Sequence, residues 1–165
     1  MTGALRPILA RWPLFAALAS AAMLAAAHAF ERFGGLPPCT LCLRQREVYW
    51  VALAVGLVGF ALSRWPATRR WVAAALAAVF LVGVGVAVYH AGAEWKFWPG
   101  PAACASTGGS VSADDLMAAL GGGVKPPACD EALWVFLGLS MAGWNALISL
   151  ALAGFSLAAA RRPAA

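Results

Sequence analysis

Charge is scarce in this chain. Of its 165 residues only 12% are Asp, Glu, Lys or Arg, while 62% are hydrophobic. A soluble domain is nearer a quarter charged and half apolar, so an ordinary water-soluble globule is excluded and the bilayer is the expected solvent. The chain shows no internal repeat and no shift in composition that would mark a second domain. It lacks the alternating strand and helix pattern in which a thioredoxin-like Cys-x-x-Cys would sit. A nucleic-acid partner is excluded as well, because the net charge of +5 follows membrane topology and gathers into no patch.

Long apolar runs fill the space that charge leaves. Spanning a bilayer takes roughly 20 mostly apolar residues. Trp12–Phe30, Val48–Ser63, Trp71–Tyr89 and Ala132–Ala160 contain no Asp, Glu, Lys or Arg. The expected spans are about 12–30, 45–63, 71–90 and 132–160, with outer loops of about 31–44 and 91–131, in one integral membrane domain covering 1–165. The fold class expected is an all-α membrane protein: a four-helix transmembrane bundle whose long second outer loop carries a short amphipathic helix. That loop helix would start at Ser112-Ala113-Asp114-Asp115, expose Leu116, Met117 and Leu120 on one face, and stop at Gly121-Gly122-Gly123. The last run is long at ~1.5 Å per residue and should tilt or project from one face.

Acids are missing from one side of this layout. The termini and the 64–70 turn carry Arg6, Arg11, Arg64, Arg69, Arg70, Arg161 and Arg162, and all seven acids fall on the other side. The positive-inside rule makes the arginine side cytoplasmic. Arg6 and Arg11 before an apolar run ending Ala27-His28-Ala29 also resemble a cleavable signal peptide. The run is long for that role, and an uncleaved first span is expected. Trp95, Trp98 and Trp134 read as interfacial anchors, and Asn145, in the last span, as a bridge between helices.

Cysteines are few, and all four, Cys39, Cys42, Cys104 and Cys129, fall on the outer side. An even count there suits disulfide chemistry. Haem attachment would need a His after the second Cys of Cys-x-x-Cys, and Leu43 stands there. Structural zinc usually has two closely spaced ligand pairs, whereas 24 residues separate Cys104 from Cys129. Zinc and loop-bracing disulfides stay open as alternatives. Leu41, Leu43, Val48 and Trp50 place a helix start at or just before Cys42. There the unpaired N–H groups and the helix dipole favour thiolate, and Arg46, four residues on, shares the face.

Three segments together, "PCTLCLRQR", "YHAGAEWKFWPGPAAC" and "ACDEALWVFLGLSMAGWN", resemble the disulfide bond formation protein B (DsbB) family over nearly the whole chain. The resemblance implies a thiol:quinone oxidoreductase of the bacterial inner membrane, with both termini cytoplasmic and the cysteine loops periplasmic. It implies a DsbA-type periplasmic thiol oxidase as partner, ubiquinone or menaquinone as cofactor, a monomer in lipid, and no resident metal. Carried over by position, Cys104 is attacked by the partner's thiolate and Cys129 is released. Cys129 then attacks the Cys39–Cys42 disulfide at Cys39, and Cys42 faces the quinone. Arg46 and His90 match quinone-site residues. The rival reading is a four-span scaffold or metal-binding protein with static cysteines.

Overall fold

A computed structural model describes residues 5–101 and 129–162. Cys104 and the expected loop helix lie outside the described residues. A short helix α1 (Leu5–Ala10) leads into α2 (Trp12–Arg32), and α3 (Thr40–Ala61) runs through a 3-10 turn (Leu62–Arg64) into α4 (Pro66–Glu94). A two-stranded antiparallel hairpin, β1 (Val135–Phe136) and β2 (Leu139–Ser140), precedes α5 (Met141–Ala160). Of these, α2, α3, α4 and α5 are long and apolar enough to cross a membrane. The protein is an all-α four-span bundle with one small hairpin.

The bundle is arranged for lipid. Side chains such as Leu18, Val51, Val58, Trp71 and Val82 face outward, where acyl chains replace water as their neighbours. Small residues fill much of the inside, with Ala16, Ala52, Ala77, Ala87 and Ala153 essentially buried around Leu76 and Phe80. Burial of apolar surface gives little drive between helices in lipid, so close packing and hydrogen bonds take over. Gly56 shows how close: a Cβ there would stand 2.8 Å from the Pro13 carbonyl oxygen and 3.0 Å from the Ala17 nitrogen. Any side chain at 56 would push α3 off α2. Helix α4 packs on both α5 and α3. At the end near the chain termini the Trp12 indole donates to Ser156 Oγ at 2.9 Å, fixing α2 to α5.

Helices α3, α4 and α5 depart from the spans expected of them. Helix α3 starts at Thr40, just before Cys42 as the apolar pattern placed it and ahead of the span expected from 45, because Cys39 caps it. Pro37-Pro38 holds the approach extended, and Cys39 (φ −77°, ψ 171°) turns its sulfur to accept the Cys42 N–H at 3.2 Å. Helix α4 overruns its expected 71–90 at both ends. Its 29 residues give about 44 Å, longer than the hydrocarbon core, so one end stands clear of it. That helix stops when Lys96 enters the left-handed region (φ 62°), with Lys96 N–H bonded to Ala93 O and Phe97 N–H to Gly92 O, a Schellman stop.

The fourth span begins at Met141, and residues 132–140 do not continue it. Leu137 and Gly138 both take positive φ (51° and 79°), the pattern of a tight hairpin turn. Val135 pairs with Ser140 and Phe136 with Leu139. Ser140 then caps α5 by accepting the Gly143 N–H at 3.1 Å. The helix that remains has 20 residues, about the ~30 Å of a hydrocarbon core, so the excess length expected of this span is taken up by the hairpin.

Candidate functional site

At the Cys39 end of the bundle, α3 presents Cys42, Gln45, Arg46 and Tyr49 in a stripe spaced three and four residues apart, which places them on one face. Across from it α4 presents His90 and Glu94, one turn apart, and α5 presents Asn145 and Ser149. Among the described residues no buried side-chain nitrogen or oxygen lacks a partner. The polar groups that interrupt these apolar helices therefore pair with one another.

Their order can be followed atom by atom. The Tyr49 hydroxyl lies 3.0 Å from Ser149 Oγ and donates to Asn145 Oδ1. Asn145 Nδ2 donates to Gln45 Oε1. This leaves the Gln45 amide nitrogen facing His90 Nδ1 at 2.8 Å. An amide NH2 only donates, so Nδ1 accepts, and in the neutral ring the proton sits on Nε2. That nitrogen lies 3.6 Å from Cys39 Sγ and 3.7 Å from Glu94 Oε1. Glu94 Oε2 in turn accepts the Ser140 hydroxyl. A side-chain chain thus runs from the middle of α5 to the cysteine pair, and Asn145 is the helix bridge expected of it.

Cys39 and Cys42 are free thiols with sulfurs 2.7 Å apart. Cys39 is buried and Cys42 half-buried. The Cys42 thiol, hydrogen-bonded to the Cys39 sulfur, holds the Cys39 thiol well below its usual range; His90 and the Cys42 N–H add to this, and burial opposes it. The helix start expected to favour a thiolate at Cys42 therefore favours one at Cys39 in the dithiol, because the free N–H points at the cap residue. Cys129 is fully buried and disulfide-bonded, and it packs with Cys39 and Leu41 in one cluster.

A cavity of about 340 Å³ opens beside the pair. Met23, Leu24, Ala27 and Phe30 of α2 line one wall, and Trp144 and Ile148 of α5 line the other. Trp134 and Phe136 of the hairpin segment close one end, with Trp134 against Phe30 at 5.3 Å between ring centroids and against Phe136 at 5.8 Å. Trp134 is therefore a cavity wall. Arg46 also lines the cavity, its guanidinium donating to Glu31 Oε2 at 2.5 Å and to the Ala27 carbonyl at 3.2 Å. These bonds tie α3 to α2 and hold a cation at the wall of a mostly apolar space.

Of the sequence-predicted site residues, the structure brings Cys39, Cys42, Arg46 and His90 around this cavity, with Cys129 against Cys39; Cys104 lies outside the described residues. Sequence reasoning missed Gln45, Glu94 and Glu31. The spacings Cys42–Gln45–Tyr49 and His90–Glu94 were the available signal: polar stripes on otherwise apolar helices. Chemically, the arrangement can pass electrons through a dithiol, hold a planar apolar molecule beside it, or gather metal donors, since the Cys39, Cys42 and His90 donor atoms lie within 4.8 Å of one another.

Comparison with known proteins agrees. The family model described as disulfide bond formation protein DsbB matches residues 10–159. A disulfide bond formation protein B from Methylococcus capsulatus is 37% identical over 148 residues, covering 83% of this chain and 85% of that protein. A protein of the same name from Dechloromonas aromatica is 30% identical over 143 residues, covering 82% of each. No solved structure matches the chain. With four membrane-capable helices and a cysteine pair at the mouth of the bundle, the chain belongs to the DsbB family of disulfide bond formation proteins.

Proposed function

We propose that this protein is a thiol:quinone oxidoreductase of the bacterial inner membrane, with both termini cytoplasmic and the cysteine end periplasmic, that reoxidises a DsbA-type dithiol protein. The observation that carries this reading is the juxtaposition of three things: the Cys39–Cys42 pair, a buried Cys129 packed on Cys39, and an apolar cavity with Arg46 in its wall.

The cavity suits ubiquinone or menaquinone by size and lining. Binding pockets run from roughly 300 to 1,000 Å³, apolar with a few placed polar groups. Here the walls are apolar and aromatic, with Cys42, Arg46 and His90 supplying the polar contacts. Bound there, a quinone provides a sink for two electrons and two protons. The established potential of DsbA-type oxidants is about −120 mV, so an acceptor more positive than a typical dithiol is needed.

The side chains divide the work. Cys104 receives the partner's thiolate in a mixed disulfide and Cys129 leaves as thiolate. Cys129 is packed on Cys39 and attacks there, so the S–S bond of the pair breaks and Cys42 is released. The partner's second thiol displaces Cys104, and Cys104 attacks Cys129, so the Cys104–Cys129 bond re-forms and Cys39 is freed from Cys129 as a thiolate held by the Cys42 N–H and His90. Re-forming the Cys39–Cys42 bond gives up two electrons and the Cys42 proton, which a quinone bound in the cavity would take. His90 keeps its Nε2–H aimed at Cys39, because Gln45 occupies Nδ1. Arg46 holds positive charge where negative charge accumulates.

The test is anaerobic mixing of this protein with a reduced DsbA-type partner and, in separate runs, ubiquinone or menaquinone, following quinone absorbance. Catalytic quinone reduction coupled one-to-one with partner oxidation is expected. An unchanged quinone spectrum with intact protein, under both quinones, overturns the proposal.

A further inference from the structure

Glu94 is a buried carboxylate, its side chain 5% exposed, and among the described residues no Lys or Arg forms an ion pair with it; His90, equally buried, is its titratable neighbour. Burying a carboxylate without a cation is costly. Beside it stand two thiols and an imidazole. This is the donor set of a borderline-soft divalent cation, with thiolate, imidazole and carboxylate all in Zn²⁺ chemistry.

The donor atoms of Cys39, Cys42 and His90 lie within 4.8 Å of one another, and Glu94 stands beside His90, outside that cluster, so its carboxylate must turn inward to complete the set. With Zn–S near 2.3 Å and Zn–N near 2.0–2.1 Å, the edges of a tetrahedral site come to roughly 3.5 Å for sulfur to nitrogen and 3.4 Å for nitrogen to oxygen. Cys39 Sγ to His90 Nε2 is 3.6 Å, and His90 Nε2 to Glu94 Oε1 is 3.7 Å. The sulfur pair, at 2.7 Å, must part by about 1 Å to reach the roughly 3.7 Å of a tetrahedral S–S edge. Cys42 is half-buried on the cavity side, so its sulfur has room to move. Gln45 completes the shell. Turning its amide and that of Asn145 lets Gln45 Oε1 accept from His90 Nδ1–H, the outer partner usual for a metal-bound imidazole.

We propose that the dithiol form of this site binds Zn²⁺ through Cys39, Cys42, His90 and Glu94, and that the ion blocks reoxidation by occupying both sulfurs. The ion takes both sulfurs as thiolates, so Cys42 gives up its proton beside the Cys39 thiolate, and nothing is oxidised or reduced. A Cys39–Cys42 disulfide leaves only His90 and Glu94, too few to hold the ion, so binding follows redox state. Zinc then competes with the electron acceptor for the reduced pair. The binding stands on the geometry alone, whereas the inhibition rests on the oxidase reading above.

The experiment uses full-length protein in detergent, reduced with a phosphine and kept anaerobic. Each cysteine is followed by alkylation and mass spectrometry with and without Zn²⁺. Protection of Cys39 and Cys42 by at least about tenfold is expected, with Cys104 and Cys129 unprotected. Co²⁺ in place of Zn²⁺ should give thiolate-to-metal charge-transfer absorption. His90→Ala and Glu94→Gln should each weaken binding about tenfold or more. Protection confined to Cys104 and Cys129, or none in the wild-type chain, overturns the site. Oxidation of the pair by a short-chain ubiquinone is then timed on the same samples. If metal-free dithiol protein is not oxidised, the oxidase reading fails while the zinc site is judged by protection alone. If it is oxidised at the same rate with the pair protected, the inhibition is overturned and the oxidase reading stands.

Discussion

The two ends of this bundle solve opposite problems with the same helices. Near the chain termini, α1, α2 and α5 meet through Leu9, Trp12, Ala16, Leu152 and Ala153, all buried and apolar, with the Trp12 to Ser156 bond joining α2 to α5. At the cysteine end, Tyr49, Gln45, His90, Glu94, Asn145 and Ser149 form a continuous polar chain through three helices. A site whose sulfurs change charge needs groups that can answer it, and a fully apolar bundle has none. The contrast predicts that substitutions at one end chiefly alter stability and those at the other chiefly alter chemistry.

The sharpest break in that comparison is Cys42→Ser against Phe80→Ala. Cys42→Ser should abolish quinone reduction, a loss beyond about 10³-fold, while the thermal unfolding midpoint in detergent moves little. Phe80 is fully buried in the apolar core, and its truncation should cost about 3–5 kcal/mol while the folded fraction retains its turnover. Paired unfolding and turnover measurements check this. Loss of stability without loss of activity in Cys42→Ser would erase the distinction between the two ends.

Arg46 stands between the extremes, since it both lines the cavity and ties α3 to α2. Charge-assisted hydrogen bonds contribute about 1.5–3 kcal/mol. Arg46→Ala should therefore raise the quinone KM about tenfold to a hundredfold, with a smaller fall in kcat, and Arg46→Lys should recover part of it. Unchanged quinone kinetics in Arg46→Ala would make this residue a helix tie alone.

Gln45 sharpens the contrast in another way, because its expected effect passes through His90. Gln45→Leu leaves His90 Nδ1 and Asn145 Nδ2 without their partners, an effect of about 1–3 kcal/mol. The imidazole is then free to place its proton on either nitrogen. Thiolate absorbance during titration of the reduced protein should move to higher pH, because the support His90 gives the Cys39 thiolate weakens. Gln45→Asn, which keeps an amide donor on a shorter stem, should move it less. A titration identical to wild type in Gln45→Leu would separate the polar chain from the sulfur chemistry.

How much of this was legible follows from what each signal encodes. Four membrane helices could be read because the runs are long and nearly free of charge. The start of α5 was misread because Leu133, Val135, Phe136, Leu137 and Leu139 are as apolar as the helix after them. Hydropathy cannot separate a hairpin from a span, although Gly138 and the capping Ser140 marked the break. Cys39, Cys42, Arg46 and His90 were found through spacing and family resemblance. Gln45 and Glu94 were missed because a polar residue inside an apolar helix reveals its own face but not the residue that meets it. Only the packing of α3 against α4 and α5 brings Gln45 between His90 and Asn145.

The smallest expected effect lies at the surface, where Lys96 Nζ meets Asp130 Oδ2 at 2.6 Å. This pair joins the end of α4 to the residue after Cys129. The Lys96 ammonium holds the Asp130 carboxyl below its usual range through a hydrogen bond. A depressed carboxylate stabilises the fold above the unfolded-state pKa of about 3.9, and that contribution is lost as pH falls through the lower folded value. Both side chains are exposed, so screening keeps the pair under about 1 kcal/mol. Asp130→Asn should lower the unfolding midpoint slightly at neutral pH and low salt, and not at all in high salt or once acid has protonated Asp130. A larger effect, or one indifferent to salt, would mean that the tie beside Cys129 belongs to the chemistry of the cysteine end.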